Sequence, residues 1–116
     1  MEIDGRVVSF FIDNGLCDNN FFDFIYGKIV YLESGSDVFW YGCHPILEDN
    51  IIKDIRLVVP IISEEKDLLI NIHEFTHALD FYNELGDEFV ERRFLREEKA
   101  KRMEKLYFLT KKNKCS

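Results

Sequence analysis

A chain of 116 residues with 47% hydrophobic and 15% aromatic content supports one packed core and is too short for two full domains. Only 6 Gly and 2 Pro exclude a collagen-like or low-complexity chain, and no run approaches the roughly 18 apolar residues of a membrane span. The net charge of −7 is unevenly spread: residues 1–91 hold 19 acidic and 5 basic side chains, whereas residues 92–116 hold 3 acidic and 10 basic.

The first residues lack a basic segment followed by a long apolar run, so no signal peptide is expected. Cys17, Cys43 and Cys115 cannot all pair with one another and none lies in a Cys-x-x-Cys, which suits reduced thiols in a cytoplasmic protein. Residues 6–16 and 19–27 are apolar and aromatic, broken by Asp13-Asn14-Gly15 and Asp18-Asn19-Asn20. Phe21, Phe22, Phe24, Ile25 and Tyr26 do not alternate, which favours two short helices. Residues 29–32 read as a strand, 38–41 as a second one pairing with it in a hairpin, and 54–61 as a third ending near Pro60.

A long helix follows. Ser63 suits its N-cap, Glu64 and Glu65 its first turn, and Gly86 the residue just past its end. Leu68, Ile72, Phe75, Leu79 and Tyr82 recur every three or four positions and form a core stripe. A last helix is expected from about Glu88 to Lys111, capped by Asp87, with Phe89, Phe94, Ala100, Met103 and Tyr107 available for packing. Its basic character is read as a helix lying against an acidic body. Contact with nucleic acid or an anionic surface is the less favoured reading, since no base-stacking motif accompanies it.

The long helix carries His73-Glu74-Phe75-Thr76-His77. Residues four apart share a helix face, so both imidazoles can reach one ion, and Glu74 stands beside that ion as a base for its water. Two His do not complete a catalytic zinc site, which takes a third protein ligand and keeps a fourth position open. A ligand six residues after the second His, with Gly three before it, is excluded by Asn83 and Asp80. A glutamate from the next helix remains: Glu97, 20 residues after His77, with Glu98 as the alternative. Ala100 on the face of Glu97 would let the helices approach closely.

The pattern His73-Glu74-x-x-His77 with Glu97 downstream resembles the gluzincins, the thermolysin-type zinc metallopeptidases, and in size the single-domain minigluzincins. Residues 37–42, Asp-Val-Phe-Trp-Tyr-Gly, are similar to the strand that rims the cleft in that family. The resemblance implies a single zincin-like α+β domain over residues 1–116, with a sheet of about three strands packed on the histidine-bearing and glutamate-bearing helices. It implies zinc held by His73, His77 and Glu97, with Glu74 as general base. It further implies substrate contacts at Val38, Phe39 and Trp40, and hydrolysis of a protein or peptide without membrane or nucleic-acid partners. Where the family places an Asp four residues after its glutamate ligand, this chain has Lys101, so Asp80 or Glu104 must orient a zinc histidine. Tyr41, His44, Tyr82 and Tyr107 are the candidate oxyanion donors, although His44 reads otherwise as a loop residue. The competing readings are a latent or inactive zinc-binding regulator of the same fold, and an interaction domain without metal.

Overall fold

Two capped helices open the chain. Asp4 accepts the Arg6 backbone N–H at 2.8 Å and starts α1 (Gly5–Asp13); Asp18 accepts that of Asn20 at 2.9 Å and starts α2 (Asn19–Ile25). In this computed structural model, which describes residues 2–34 and 41–114, a 3-10 turn (Tyr26–Lys28) and β1 (Ile29–Leu32) come next. β2 (Gly42–Glu48), β3 (Ile51–Pro60), α3 (Glu65–Asn83) and α4 (Arg93–Lys114) complete it. The described residues form a small α+β domain with four helices and a three-stranded mixed sheet.

β3 is the middle strand, parallel to β1 from Ile29↔Leu57 to Leu32↔Pro60 and antiparallel to β2. The expected pairing of 29–32 with 38–41 is therefore replaced, for β1, by pairing with β3. Residues 38–40, and with them Val38, Phe39 and Trp40, lie outside the described residues. The hairpin that the structure holds joins β2 to β3 through Asp49 and Asn50, whose φ values of 52° and 64° are those of a two-residue type I′ turn. β3 consequently begins at Ile51 rather than Asp54, and His44 lies in a strand rather than a loop. Pro45 is tolerated because β2 is an edge strand. A register shift after Ile46 opposes Ile46 to Asp54 but Leu47 to Ile52, leaving Lys53 as an extra residue. This bulge brings Ile52 to the same face as Ile55, Leu57 and Val59, and all four are buried.

That face receives α3 through Leu68, Ile72, Phe75 and Leu79, the stripe expected from spacing. Phe11 and Phe22 of the first two helices pack on the Phe75 ring at centroid distances of 6.4 and 6.2 Å, so the opening helices roof the far side of the core. The N-terminus of α3 is fixed by Asp67, which is buried. Its carboxylate accepts from the Ser34 hydroxyl at 2.7 Å, the Ser63 hydroxyl and N–H at 3.0 Å each, and the Glu64 N–H at 2.9 Å. Ser63 thus donates to a first-turn acid instead of capping, and the N-cap is Glu64, one position later.

α3 ends at Asn83, with Glu84 as its C-cap. Gly86, at φ +85°, turns the chain back so that its N–H donates to the Ile52 carbonyl at 2.9 Å. The Asp87 carbonyl accepts from Ile52 at 3.0 Å and the Phe89 N–H donates to Asn50 at 2.7 Å. β1 covers β3 only from Leu57 onward, so residues 86–89 satisfy the strand's open beginning instead of starting a helix. α4 accordingly starts at Arg93, not Glu88. Its Ala100, Met103 and Tyr107 face the body as expected, but Phe94 is exposed.

Burial pushes the Asp67 carboxyl up, but its hydrogen bonds from Ser34, Ser63 and Glu64 outweigh this and hold it below the usual range. A depressed pKa contributes stability above the unfolded value of about 3.9 and loses it as pH falls through the folded one. Asp67→Asn should cost about 2 kcal/mol at neutral pH in denaturant titration, and its deficit against wild type should shrink progressively below about pH 4.

Candidate metal centre

The four-residue spacing on α3 sets His73 and His77 one turn apart, with their Nε2 atoms 3.3 Å from each other. Glu97 of α4 completes the convergence: Oε1 is 2.8 Å from His77 Nε2 and Oε2 is 3.3 Å from His73 Nε2. One nitrogen from each ring and one carboxylate oxygen lie within 4.8 Å of one another. Glu98, the alternative ligand, is exposed and outside this cluster.

Glu97 reaches α3 because the helix that bears it can come close. Ala100, one turn further along α4, is fully buried between the helices and takes almost no room. Two ion pairs fix the approach: Arg96 donates to both Glu84 oxygens at 2.7 and 3.2 Å, and Lys99 to Asp80 at 2.6 Å. The Arg96 guanidinium also stacks over the Phe81 ring, 4.6 Å from its centroid.

Of the two acids expected to orient a histidine, Asp80 is taken by Lys99 and Glu104 does the work. Its Oε2 lies 3.2 Å from His73 Nδ1. Glu104 stands seven residues after Glu97, two turns along the same face of α4. An ionised carboxylate only accepts, so in this contact Nδ1 donates to Glu104, which leaves Nε2 as the nitrogen a metal would take. Burial lowers His77, against the pull of Glu97, and so favours its neutral, ligating form. Burial also pushes His73 down, but Glu104, Glu74 and Glu97 outweigh it and raise it.

Glu74 is pushed up to about 7, chiefly by burial and further by the Glu97 and Glu104 charges, with His73 opposing. It lines, with His77 and Glu97, a cavity of about 430 Å³ whose other walls are the start of β2, Phe81, Phe89 and Arg93. Tyr41 and His44 border this cavity, the Tyr41 hydroxyl donating to the Glu33 carbonyl at 3.1 Å. Tyr82 packs instead on Phe21 and Phe24, and Tyr107 on Phe10, both away from the cluster. Cys43 also lines the cavity, and burial, with the Glu74 and Asp80 charges, raises its thiol and keeps it protonated. Cys17 and Cys43 are free thiols; Cys115 lies outside the described residues. The wall formed by β2 was not foreseen from the sequence. The Asp49-Asn50 pair between Leu47 and Ile51 was its one legible signal.

Comparison with family models, curated proteins and solved structures returns no match. The donor set itself fits a divalent first-row metal: two imidazole nitrogens and a carboxylate oxygen, one imidazole held by a carboxylate behind it. Three carboxylates and two imidazoles gathered in a partly buried space are also costly without a cation among them.

Using zinc as the probe, the wild-type chain should take up about one ion, and Glu97→Ala should lose most of it by elemental analysis. Chelator competition should show Glu104→Ala weakening zinc binding by about 10- to 100-fold. Ala100→Leu should retain the helical circular dichroism while weakening zinc binding, because it drives α4 from α3 at a cost of roughly 1–3 kcal/mol.

Proposed function

We propose that this chain is a zinc-dependent metallopeptidase of the gluzincin type, a minimal zincin-like domain acting on a protein or peptide in the cytoplasm. The observation that carries the reading is the convergence of His73, His77 and Glu97 within 4.8 Å beside a cavity that Glu74 also lines. A structural site uses four protein ligands and has no need of a base; three ligands with an adjacent carboxylate are the composition of a catalytic one. When bound, zinc supplies a Lewis acid that acidifies water and polarises a carbonyl.

The chain's own groups do the rest. His73, His77 and Glu97 would hold the ion, and Glu104 fixes the His73 ring through Nδ1. It serves where longer family members use an Asp, from one turn further along the helix. Glu74 takes a proton from the attacking water and returns it to the leaving amine, and a carboxyl raised by burial suits transfer in both directions near neutral pH. The outer edge of β2 is unpaired among the described residues, and it borders the cavity. Its free backbone groups can align an extended peptide by adding it as a strand.

One observation favours the second reading, a latent or inactive zinc-binding regulator. Tyr82 and Tyr107 are packed elsewhere and the Tyr41 hydroxyl is already bonded, so no free phenol stands at the cavity among the described residues. The readings separate in one experiment, in which zinc-loaded protein is incubated with a peptide library and a denatured protein and fragments are identified by mass spectrometry. Cleavage should occur, and Glu74→Gln should slow it at least a hundredfold with zinc content unchanged. Undiminished turnover in that variant would remove Glu74 from its role, and no cleavage by zinc-loaded wild type would establish the second reading.

A further inference from the structure

Six of the basic residues of α4 fall into two groups. Arg96, Lys99 and Lys111 turn inward or sideways and pair with Glu84, Asp80 and Glu65, as expected of a basic helix on an acidic body. Lys101, Arg102 and Lys105 are exposed and have no ion-pair partner among the described residues. The same division holds for the apolar side chains. Ala100, Met103, Leu106 and Tyr107 pack inward, whereas Phe94, Leu95, Phe108 and Leu109 are 49% to 74% exposed.

These exposed groups share one face. At about 100° per residue, the four apolar positions fall within an arc of about 140°, with Lys101, Arg102 and Lys105 inside it and Glu98 as the one acid. About 14 residues separate the two apolar pairs, roughly 20 Å at 1.5 Å per residue. The helix therefore presents an apolar contact at each end and positive charge between them. Core packing does not account for this face, because α4 buries a different one.

We propose that the outer face of α4 docks on an anionic lipid bilayer, Phe94, Leu95, Phe108 and Leu109 entering the headgroup boundary while Lys101, Arg102 and Lys105 meet lipid phosphates and carboxylates. The three cations complement such a surface, and the shared arc lets both apolar ends approach a flat bilayer together. Nucleic acid would match the cations and leave four large apolar side chains without a partner. Pairing of α4 with α4 of a second copy would set cation against cation. The remaining chain is strongly acidic, so an anionic surface admits this face and repels the others. This departs from the expectation of no membrane partner. It requires only peripheral contact, and among the described residues no helix is long and apolar enough to cross a membrane.

Flotation of the full chain with phosphatidylcholine vesicles containing phosphatidylserine, against pure phosphatidylcholine, tests the proposal. Binding should be confined to the anionic vesicles and weaken with salt. It should fall roughly tenfold or more in Arg102→Glu/Lys105→Glu and in Phe94→Ser/Leu95→Ser, with circular dichroism and zinc content unchanged. Either of these would overturn it: no flotation with anionic vesicles, or flotation undiminished in the Phe94→Ser/Leu95→Ser variant. So would self-association that depends on Phe94 and Leu95, or tighter binding to duplex DNA than to the vesicles.

Discussion

The distance between two helices governs this molecule. An ion can be shared between His73 and His77 on α3 and Glu97 on α4 only if the backbones approach to within the reach of those side chains. The contact that allows it is Ala100, a small side chain that is fully buried. α3 cannot move to compensate, since its opposite face is locked against the buried residues of β3 and roofed by the aromatic rings of α1 and α2. The adjustable partner is α4, and the Arg96–Glu84 and Lys99–Asp80 pairs hold it in place. The core and the candidate site therefore share a single helix, one face of α3 serving each.

Charge is sorted with equal economy. Cations of α4 that meet α3 are matched by acids, while Glu97 and Glu104, which also face α3, meet imidazoles. Glu74, Glu97 and Glu104 together leave the cluster with an excess of negative charge that a dication would relieve, and the raised Glu74 carboxyl reflects that excess along with its burial.

Much of this was legible because it depends on local periodicity. The spacing of Leu68, Ile72, Phe75 and Leu79 defines α3 and its buried face, and the same period puts His73 and His77 together. Ala100 on its face and the family's interval favoured Glu97 over Glu98, and Glu97 is the one brought to the histidines. What escaped depends on contacts far along the chain. Asp87-Glu88 has the composition of a helix start, but the open beginning of β3 claimed that backbone and delayed α4 to Arg93. Pro45 and the exposed Ile46 and Leu47 hide β2 as a strand, and its turn lacks the Gly that would have announced it. Glu104 could not be preferred to Asp80 until Lys99 was seen to occupy Asp80.

The sheet's topology bears on the order in which the chain assembles. The β2–β3 hairpin closes across two residues, and α3 and α4 are joined by a short connector, so both units form from neighbouring segments. The parallel pairing of β1 with β3 joins Ile29 to Leu57, 28 positions apart. Closing that loop costs more chain entropy and is the slower event. The ligand cluster belongs entirely to the local α3–α4 unit. Were the cluster to hold a metal, the ion could engage the helical pair before β1 has found its place and so act in folding as well as in the finished protein.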